Sequence, residues 1–201
     1  MASTPKPDIE QALAGLSSGR DEDVDHAIAA MYATVYAFGM KVCGNSFDAE
    51  DTAQETLTRL ARSLHRFTNA RALVVWLYKV AKSQCLMSRR QSKFAPKQML
   101  SLEELMPAPS SNGLAGEARW AITPEELAMN SELRERLEKA VLGLPKAYRL
   151  VLVLRDMEQL DTKEVAEVAG ISESAVKVRL HRARAFLRNQ LDGWLRQRKQ
   201  P

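Results

Sequence analysis

The chain has 201 residues, a formal net charge of +4, 45% hydrophobic residues and 27% charged residues. This composition excludes an intrinsically disordered, a collagen-like and a disulfide-scaffold protein. The longest apolar run, residues 73–78, is too short to span a bilayer, and the polar first residues do not predict a secretory signal. We therefore expect a cytoplasmic protein without membrane insertion.

Charge is distributed unevenly along the chain. Residues 1–25 hold two basic and six acidic side chains, whereas residues 177–201 hold eight basic side chains and one acidic residue, Asp192. The basic C-terminal segment indicates a polyanionic partner, although a solvated helix face explains such a run of charge equally well by itself. Residues 1–23 are predicted to be an acidic N-terminal extension.

In residues 24–93, apolar positions recur at steps of three and four, which predicts three amphipathic helices around one core. A break at Asn45 separates the first helix from the second, and Asp48 is expected to cap the second helix. Cys43 and Cys85 lie near apolar stripes and are too few for a cysteine-based zinc site. They are predicted to be inert packing residues in a reducing compartment, with a redox switch as the less favoured alternative.

Residues 94–123 contain three prolines and a Ser-Ser-Asn-Gly run, which predicts a flexible linker. Thr123 and Pro124, followed by two glutamates, are typical of a helix start. Helical spacing continues to the end of the chain, so residues 124–201 are predicted to form a second domain. The expected fold class is therefore all-α, with two small helical domains joined by a flexible linker.

The segment Asp161–Arg184 has the pattern of a helix-turn-helix. Asp161 or Thr162 is predicted to cap a short helix, and Gly170 to end it, because a sharp turn requires the left-handed conformation that glycine adopts readily. Ser172 is then expected to cap a second helix with a basic outer face. Such a helix fits a major groove, whereas an ordinary helical hairpin shares the glycine turn but does not need the basic face.

Residues 144–188 read LPKAYRLVLVLRDMEQLDTKEVAEVAGISESAVKVRLHRARAFLR, and this stretch resembles the C-terminal domain of the extracytoplasmic-function (ECF) sigma factors of bacterial RNA polymerase. Two stretches of the first domain agree with this resemblance. Residues 48–60, DAEDTAQETLTRL, are similar to the polymerase-binding helix of the family. Residues 74–90, VVWLYKVAKSQCLMSRR, are similar to its promoter-melting helix.

The resemblance implies a polymerase-binding surface in the first domain. Its acidic and amide-bearing side chains would bind the clamp helices of the largest polymerase subunit, and they are Asp48, Glu50, Asp51, Gln54 and Glu55. Such a cluster repels phosphate and suits a basic protein partner. The alternative is that the first-turn acids merely complement the helix dipole, which leaves Gln54 and Glu55 unexplained.

The resemblance also implies two DNA-binding surfaces. The −10 surface captures a flipped base, read by Asn69, and holds phosphates. Its predicted residues are Asn69, Arg71, Lys79, Lys82, Arg89 and Arg90. Tyr78 is expected to be exposed by its helical phase, and Trp76 is expected to pack in the core. The −35 surface lies on the second helix of the helix-turn-helix, and its predicted residues are Glu173, Ser174, Lys177, Val178, Arg179, His181 and Arg182.

The function implied by the resemblance is that of a sigma factor that binds core RNA polymerase through the clamp helices and the flap, reads the −10 and −35 elements of promoter DNA and melts the −10 region. A cognate anti-sigma factor is the expected regulator. The sequence has scattered histidines and no nucleotide-binding or hydrolase motif, so we expect no catalytic residue, cofactor, metal or small-molecule substrate.

Two alternatives belong to other functional classes. An autonomous helix-turn-helix regulator would bind duplex half-sites as a dimer, and the acidic cluster of the first domain argues against it. A sigma-like decoy would only sequester an anti-sigma factor and would lack DNA-contacting side chains. Lys177, Arg179 and Arg182 argue against the decoy.

Overall fold

The computed structural model describes residues 7–18, 20–63, 67, 69–91 and 131–198. Within these ranges every regular element is helical, as the periodicity predicts. The helices are α1 (Pro7–Ser18), α2 (Asp21–Cys43), α3 (Ser46–Ala61), α4 (Ala70–Gln91), α5 (Ser131–Gly143), α6 (Lys146–Leu152), α7 (Thr162–Ala169) and α8 (Glu173–Arg198). A π-helical turn, Val153–Met157, continues α6. Domain 1 comprises α1 to α4, and domain 2 comprises α5 to α8.

Domain 1 has a core formed by the apolar stripes of α2 and α4. Met31, Val35 and Phe38 from α2 are fully buried, and Leu73 and Leu77 from α4 pack in the same cluster. These positions recur at three- and four-residue steps, so each helix presents one apolar side to the other. Ala53 and Leu60 of α3 lie in the same buried cluster, so the three predicted helices share one core.

Helix α1 lies in the stretch that was predicted to be an N-terminal extension. Ile9 and Ala12 are buried against α2, so this acidic segment is packed on domain 1 through its apolar side. Gly15 lies so close to the backbone of Asp23 that a Cβ atom would be 2.9 Å from its carbonyl oxygen. A glycine is therefore needed where α1 crosses the start of α2.

The junction of α2 and α3 corrects the predicted cap. Gly44 ends α2 in the left-handed conformation with a φ of 88°. Asn45, not Asp48, is the N-cap of α3, since the Asn45 side chain accepts a hydrogen bond from the backbone N–H of Asp48 at 2.8 Å. Asp48 lies in the first turn, where its carboxylate accepts a hydrogen bond from the amide group of Asn45 and complements the helix dipole.

The two cysteines are joined, which corrects the prediction that they are inert packing residues. Cys43 at the end of α2 and Cys85 on α4 form a disulfide with their Cα atoms 5.5 Å apart. The sequence separates them by 42 residues, and α2 and α4 bring them together by packing side by side in the same direction, as the contact of Phe38 with Tyr78 also shows. A pairing between helices that are distant in sequence cannot be inferred from the periodicity of either helix.

Domain 2 contains the predicted helix-turn-helix. Asp161 caps α7 in a capping box with Glu164, and Gly170 ends α7 with a φ of 72°. Ser172 accepts a hydrogen bond from the backbone N–H of Ala175 at 3.2 Å and so caps α8. Val165 of α7 is fully buried in the domain core. The prediction for this segment is confirmed in its caps and its turn.

Two expectations lie outside the described residues. They are the flexible linker at residues 94–123 and the helix start at Thr123 and Pro124. Among the helices that the structure describes, none combines the length and the hydropathy that a membrane crossing requires.

Candidate nucleic-acid interface

The outer face of α8 carries the side chains predicted to read the −35 element. Glu173, Ser174, Lys177 and His181 are exposed, and Val178 is also exposed, at 50% of its surface. Hydrogen-bonding side chains and an apolar side chain are therefore presented together. This combination can bind phosphates, base edges and the thymine methyl group in a major groove. We call these five residues the α8 recognition face.

Three other arginines of α8 are half-buried or paired within domain 2, and two of them, Arg179 and Arg182, belong to the predicted −35 residues. Arg182 is half-buried, and its Nη1 lies 3.4 Å from the hydroxyl oxygen of Tyr148. Arg184 donates to both carboxylate oxygens of Asp156 at 2.6 and 2.9 Å. Arg179 is also half-buried. The basic charge of α8 is thus divided between an outward face and side chains that hold the helix against its own domain.

The predicted −10 surface lies on α4, and its first residue has a structural role. The side-chain carbonyl of Asn69 accepts a hydrogen bond from the backbone N–H of Arg71 at 2.7 Å, so Asn69 caps α4. The Asn69 side chain remains exposed. Arg89 and Arg90 belong to α4, and their side chains lie outside the described residues.

Three other basic residues of this surface contact domain 2. Arg71 donates to Asp161 at 3.0 Å and to Glu164 at 2.8 Å. Lys79 forms an ion pair with Glu167 at 3.5 Å. Lys82 donates to the backbone carbonyl of Ala169, also on α7, at 3.4 Å. We call Arg71, Lys79 and Lys82 the α4 basic face.

The protonation of the α4 basic face reflects these contacts. Burial lowers the pKa of Arg71, but hydrogen bonds and charge from Glu164 and Asp161 outweigh burial and leave that pKa raised. The pKa of Lys82 is lowered, first by burial and then by the charge of Lys79. The pKa of Asp161 is lowered by the hydrogen bond from the backbone N–H of Glu164, with a further contribution from Arg71.

A buried carboxylate forms the centre of the contact between the two domains. Glu158 of domain 2 is 5% exposed. It accepts a hydrogen bond from the hydroxyl of Tyr78 at 2.5 Å and from Nζ of Lys41 at 2.8 Å. The Tyr78 ring packs on Phe38, with ring centroids 4.7 Å apart. Burial and the charge of Glu158 raise the pKa of Tyr78 well above its ordinary value.

The burial of Tyr78 differs from the prediction. Tyr78 shares a face of α4 with Ala81 and Cys85, which are buried, so its ring packs against Phe38 of α2 while its hydroxyl reaches Glu158 of domain 2. A second contact supports the same docking, because Arg149 donates through Nη1 to the carbonyl of Val42 at 3.1 Å. Trp76 is half-buried against Phe67, with ring centroids 5.3 Å apart, as its predicted packing role requires.

The acidic cluster of α3 is presented to solvent. Glu50, Asp51 and Gln54 are exposed, Asp48 is half-buried at the helix start, and Glu55 forms an ion pair with Arg59 at 2.7 Å. Sequence reasoning did not include Phe47, which precedes the cluster and is 72% exposed. A large apolar side chain beside carboxylates is typical of a protein-binding surface rather than a DNA-binding one. The signal available in the sequence was an aromatic residue directly before the acidic stretch 48–55.

In the described part of the chain, no three side chains of the metal-binding types gather into a candidate metal site. The chemistry of the surfaces described above is that of recognition by charge, hydrogen bonds and shape.

Each domain of the chain matches a family of sigma-factor regions. Residues 27–94 match the family Sigma-70 region 2, and residues 134–187 match the family Sigma-70, region 4. The ECF RNA polymerase sigma factor SigW of Bacillus subtilis is 31% identical over 160 residues, which cover 78% of this chain and 82% of the relative. The chain belongs to the ECF RNA polymerase sigma factors.

Two solved structures share the fold of this ECF sigma factor. The sigma factor RpoE of Bartonella quintana, in complex with the anti-sigma factor NepR, has a TM-score of 0.59 at 19% identity and covers 85% of this chain and 98% of its own. CnrH in complex with the cytosolic domain of CnrY has a TM-score of 0.56 at 22% identity, and the match covers 94% of this chain and 99% of CnrH. They confirm the all-α, two-domain fold.

Membership of the family confirms the predicted function at the level of the family. Sigma factors are transcription initiation factors that bind core RNA polymerase and promoter DNA. The region 2 match contains α3 and α4, and the region 4 match contains the helix-turn-helix. The interdomain contacts of Glu158, Tyr78 and Lys41 have no counterpart in the sequence analysis, since no local pattern marks a pairing between separate domains.

Proposed function

We propose that this ECF sigma factor divides promoter recognition between its domains. Domain 1 binds core polymerase with the α3 cluster and holds the melted −10 strand with the α4 basic face. Domain 2 reads the −35 element with the α8 recognition face. The observation that carries the proposal is the exposed α8 recognition face, positioned by the capped and glycine-ended turn between α7 and α8.

The physical basis of −35 binding is the fit of α8 to a major groove. Gly170 lets the chain turn sharply, and the Ser172 cap fixes where α8 starts. Lys177 and His181 then point from the first turns of α8 toward solvent, where they are available to phosphates and base edges. Because such contacts release counterions, binding should weaken steeply as salt increases.

The α3 cluster suits polymerase rather than DNA. Its carboxylates would repel phosphate, and exposed Phe47 supplies apolar area that a protein partner can cover. We assign this surface to the clamp helices of the largest polymerase subunit. The chain itself carries out no catalysis in this proposal, and it acts in the cytoplasm, where the polymerase supplies the nucleotidyl-transfer site.

An anti-sigma factor is the proposed regulator. The structurally similar sigma factor RpoE of Bartonella quintana was solved in complex with the anti-sigma factor NepR, and CnrH was solved in complex with the cytosolic domain of CnrY. A cognate partner that covers the domain surfaces of this chain would keep it from core polymerase.

A run-off transcription assay tests the proposal. Purified chain is added to bacterial core polymerase with a library of promoter fragments, and initiation from a defined subset is the expected result. The Lys177→Ala variant should bind −35 duplex DNA more weakly. The slope of the logarithm of its binding constant against the logarithm of salt concentration should also fall in magnitude by about 1, as removal of one phosphate contact predicts. Lys139→Ala, which removes an exposed lysine paired with Glu135 on α5, is the matched control and should leave both unchanged.

The assay also separates the two alternatives. Duplex binding without any initiation by core polymerase indicates an autonomous regulator and contradicts the assignment of the α3 cluster. Binding of neither polymerase nor DNA indicates a decoy for an anti-sigma factor.

A further inference from the structure

The α4 basic face and α7 are matched along their lengths. Arg71, near the start of α4, contacts the carboxylates in the capping box of α7. Lys79 contacts Glu167 in the middle of α7, and Lys82 contacts the carbonyl of Ala169 at its C-terminal end. The order of contacts is the same on both helices, so α7 lies along α4 rather than crossing it at one point.

Helix α7 therefore presents a row of negative charge to α4. Two of its contacts use carboxylates, and the third uses the C-terminal end of a helix, where the backbone carbonyls carry partial negative charge. Regularly spaced negative charge is also what a nucleic-acid backbone presents. The same three cations cannot bind phosphates and α7 at once.

Glu158 explains why this contact has a defined register. Its carboxylate is buried between the domains and accepts hydrogen bonds from Tyr78 and Lys41, both of domain 1. A buried carboxylate that lost these donors would be strongly disfavoured, so separation of the domains requires hydration of Glu158. The ion pair of Lys79 with Glu167, by contrast, is solvent-exposed and contributes little by itself.

We propose that domain 2 closes the −10 surface of its own chain, with α7 occupying the α4 basic face in place of DNA phosphates. We call this contact the α4–α7 clasp, and Glu158 anchors it. The inference rests on the proposed function of α4 in −10 binding. The chain then binds single-stranded DNA weakly until polymerase, promoter or both separate the domains, and the −35 surface on α8 stays exposed throughout.

The test weakens the clasp with two conservative substitutions. The variant Glu158→Gln/Glu164→Gln removes two carboxylate charges, and glutamine at position 164 can still complete the capping box of α7. The control Glu135→Gln/Glu138→Gln makes the same change in net charge on exposed positions of α5 in the same domain. Circular dichroism checks that both variants are folded.

Two measurements are made on the full chain. Small-angle X-ray scattering gives the radius of gyration, and fluorescence anisotropy gives the affinity for a labelled single-stranded oligonucleotide of mixed sequence. The clasp variant should have a larger radius of gyration than the wild type and the control. Its affinity should rise, by about tenfold if the wild type is open in about one molecule in ten, because apparent affinity scales with the open fraction.

Either of two results overturns the clasp. One is an unchanged radius of gyration and unchanged affinity relative to the control. The other is a larger radius of gyration with unchanged affinity, which would mean that α7 does not compete with DNA. Should the double variant fail to fold, Tyr78→Phe removes a hydroxyl donor to Glu158 while keeping the ring on Phe38, and the same two outcomes apply.

Run-off transcription by the wild type separates this inference from the proposed function. Initiation, together with no opening in the variants, overturns the clasp alone. Opening and tighter oligonucleotide binding in the variants, without initiation by the wild type, overturn the proposed function alone.

Discussion

The two basic surfaces of this sigma factor are in different states. The α8 recognition face, with Lys177 and His181, is open to solvent, whereas the α4 basic face, with Arg71 and Lys82, contacts α7 of the other domain. Both helices carry the basic residues that nucleic-acid binding requires. Under the proposed roles of the two faces, the chain is ready to bind duplex DNA while it is closed to the single strand.

The difference arises from where acids lie in the second domain. The capping box that starts α7 places Asp161 and Glu164 beside Arg71. The same two carboxylates therefore stabilise the first turn of α7 and bind the α4 basic face. Asp156, in the π-helical turn before α7, pairs with Arg184 of α8, and the α8 recognition face remains open to solvent. Basic composition alone does not distinguish a cation that is available from one that is already paired.

Substitutions in the core of one domain should have the largest effect on stability, and each should impair only the binding surface of that domain. Leu154 of domain 2 and Leu77 of domain 1 are both buried. We expect Leu154→Ala and Leu77→Ala each to lower the free energy of unfolding of their own domain by about 2–5 kcal/mol, because each leaves a cavity in a packed core. Urea unfolding followed by circular dichroism measures this loss.

The two core variants should differ in binding. Leu154→Ala should weaken −35 duplex binding and preserve polymerase binding, and Leu77→Ala should do the reverse. Leu142→Ala, at an exposed position of α5, is the control and should leave stability nearly unchanged. Equal loss of both binding activities in each variant would show that the domains do not act separately.

Removal of the disulfide should lower the stability of domain 1, which contains α4, and leave that of domain 2 unchanged. Cys43 and Cys85 close a loop of 42 residues within domain 1 and hold the end of α2 against α4. Reduction by a dithiol, or Cys43→Ser/Cys85→Ser, should lower the free energy of unfolding of domain 1 by about 2–4 kcal/mol, because the unfolded chain gains freedom. Differential scanning calorimetry with and without reductant measures it, and a fall in the stability of domain 2 instead would contradict the prediction.

The cap residues of α7 and α8 provide a closely matched pair. Asp161→Ala and Ser172→Ala each remove one N-cap of the helix-turn-helix, so each should cost about 0.5–2 kcal/mol of stability. Only Asp161→Ala also removes a carboxylate that contacts Arg71. We therefore expect tighter single-strand binding, measured by anisotropy, in Asp161→Ala and not in Ser172→Ala.

If the two cap variants bound single strands equally well, Asp161 would act through its cap alone. Asp161→Asn separates the two roles, since asparagine is a good N-cap without charge. It should preserve stability while still increasing single-strand binding.

Local pattern predicted the helices, the helix-turn-helix and the exposed α8 recognition face, because periodicity and caps are properties of neighbouring residues. Gly170 and Ser172 illustrate this, since the turn and the cap depend on those residues themselves. The contacts of Glu158 and the disulfide depend on which distant segments meet. Tyr78 shows the limit most clearly, because its ring packs on Phe38 of α2 and its hydroxyl bonds Glu158 of domain 2, and the phase of α4 alone reveals neither partner.

The smallest expected effect is a pH dependence of the clasp. The folded-state pKa of Asp161 is lowered, first by the hydrogen bond from the backbone N–H of Glu164 and then by Arg71. The hydrogen bond from Glu164 stabilises α7 whether the domains are closed or open, whereas the contribution of Arg71 stabilises the closed state above the ordinary Asp161 pKa of about 3.9 and is lost as the pH falls through the lower, folded value. The charged groups facing Asp161 are Arg71 from α4 and Glu164 from its own helix. Arg71, whose pKa is raised, stays protonated across the range, so the expected change comes from the Asp161 carboxylate.

The radius of gyration of the wild type should therefore stay constant from neutral pH down to about pH 5 and increase in the acid range below the ordinary carboxylate pKa. Asp161→Asn should be more open at neutral pH and show a smaller further change on acidification. The control Asp156→Asn removes a carboxylate that pairs with Arg184 inside domain 2, so it should follow the wild-type profile. A wild-type profile retained by Asp161→Asn would show that acid opening does not depend on Asp161 and leave Asp161 as a helix cap alone.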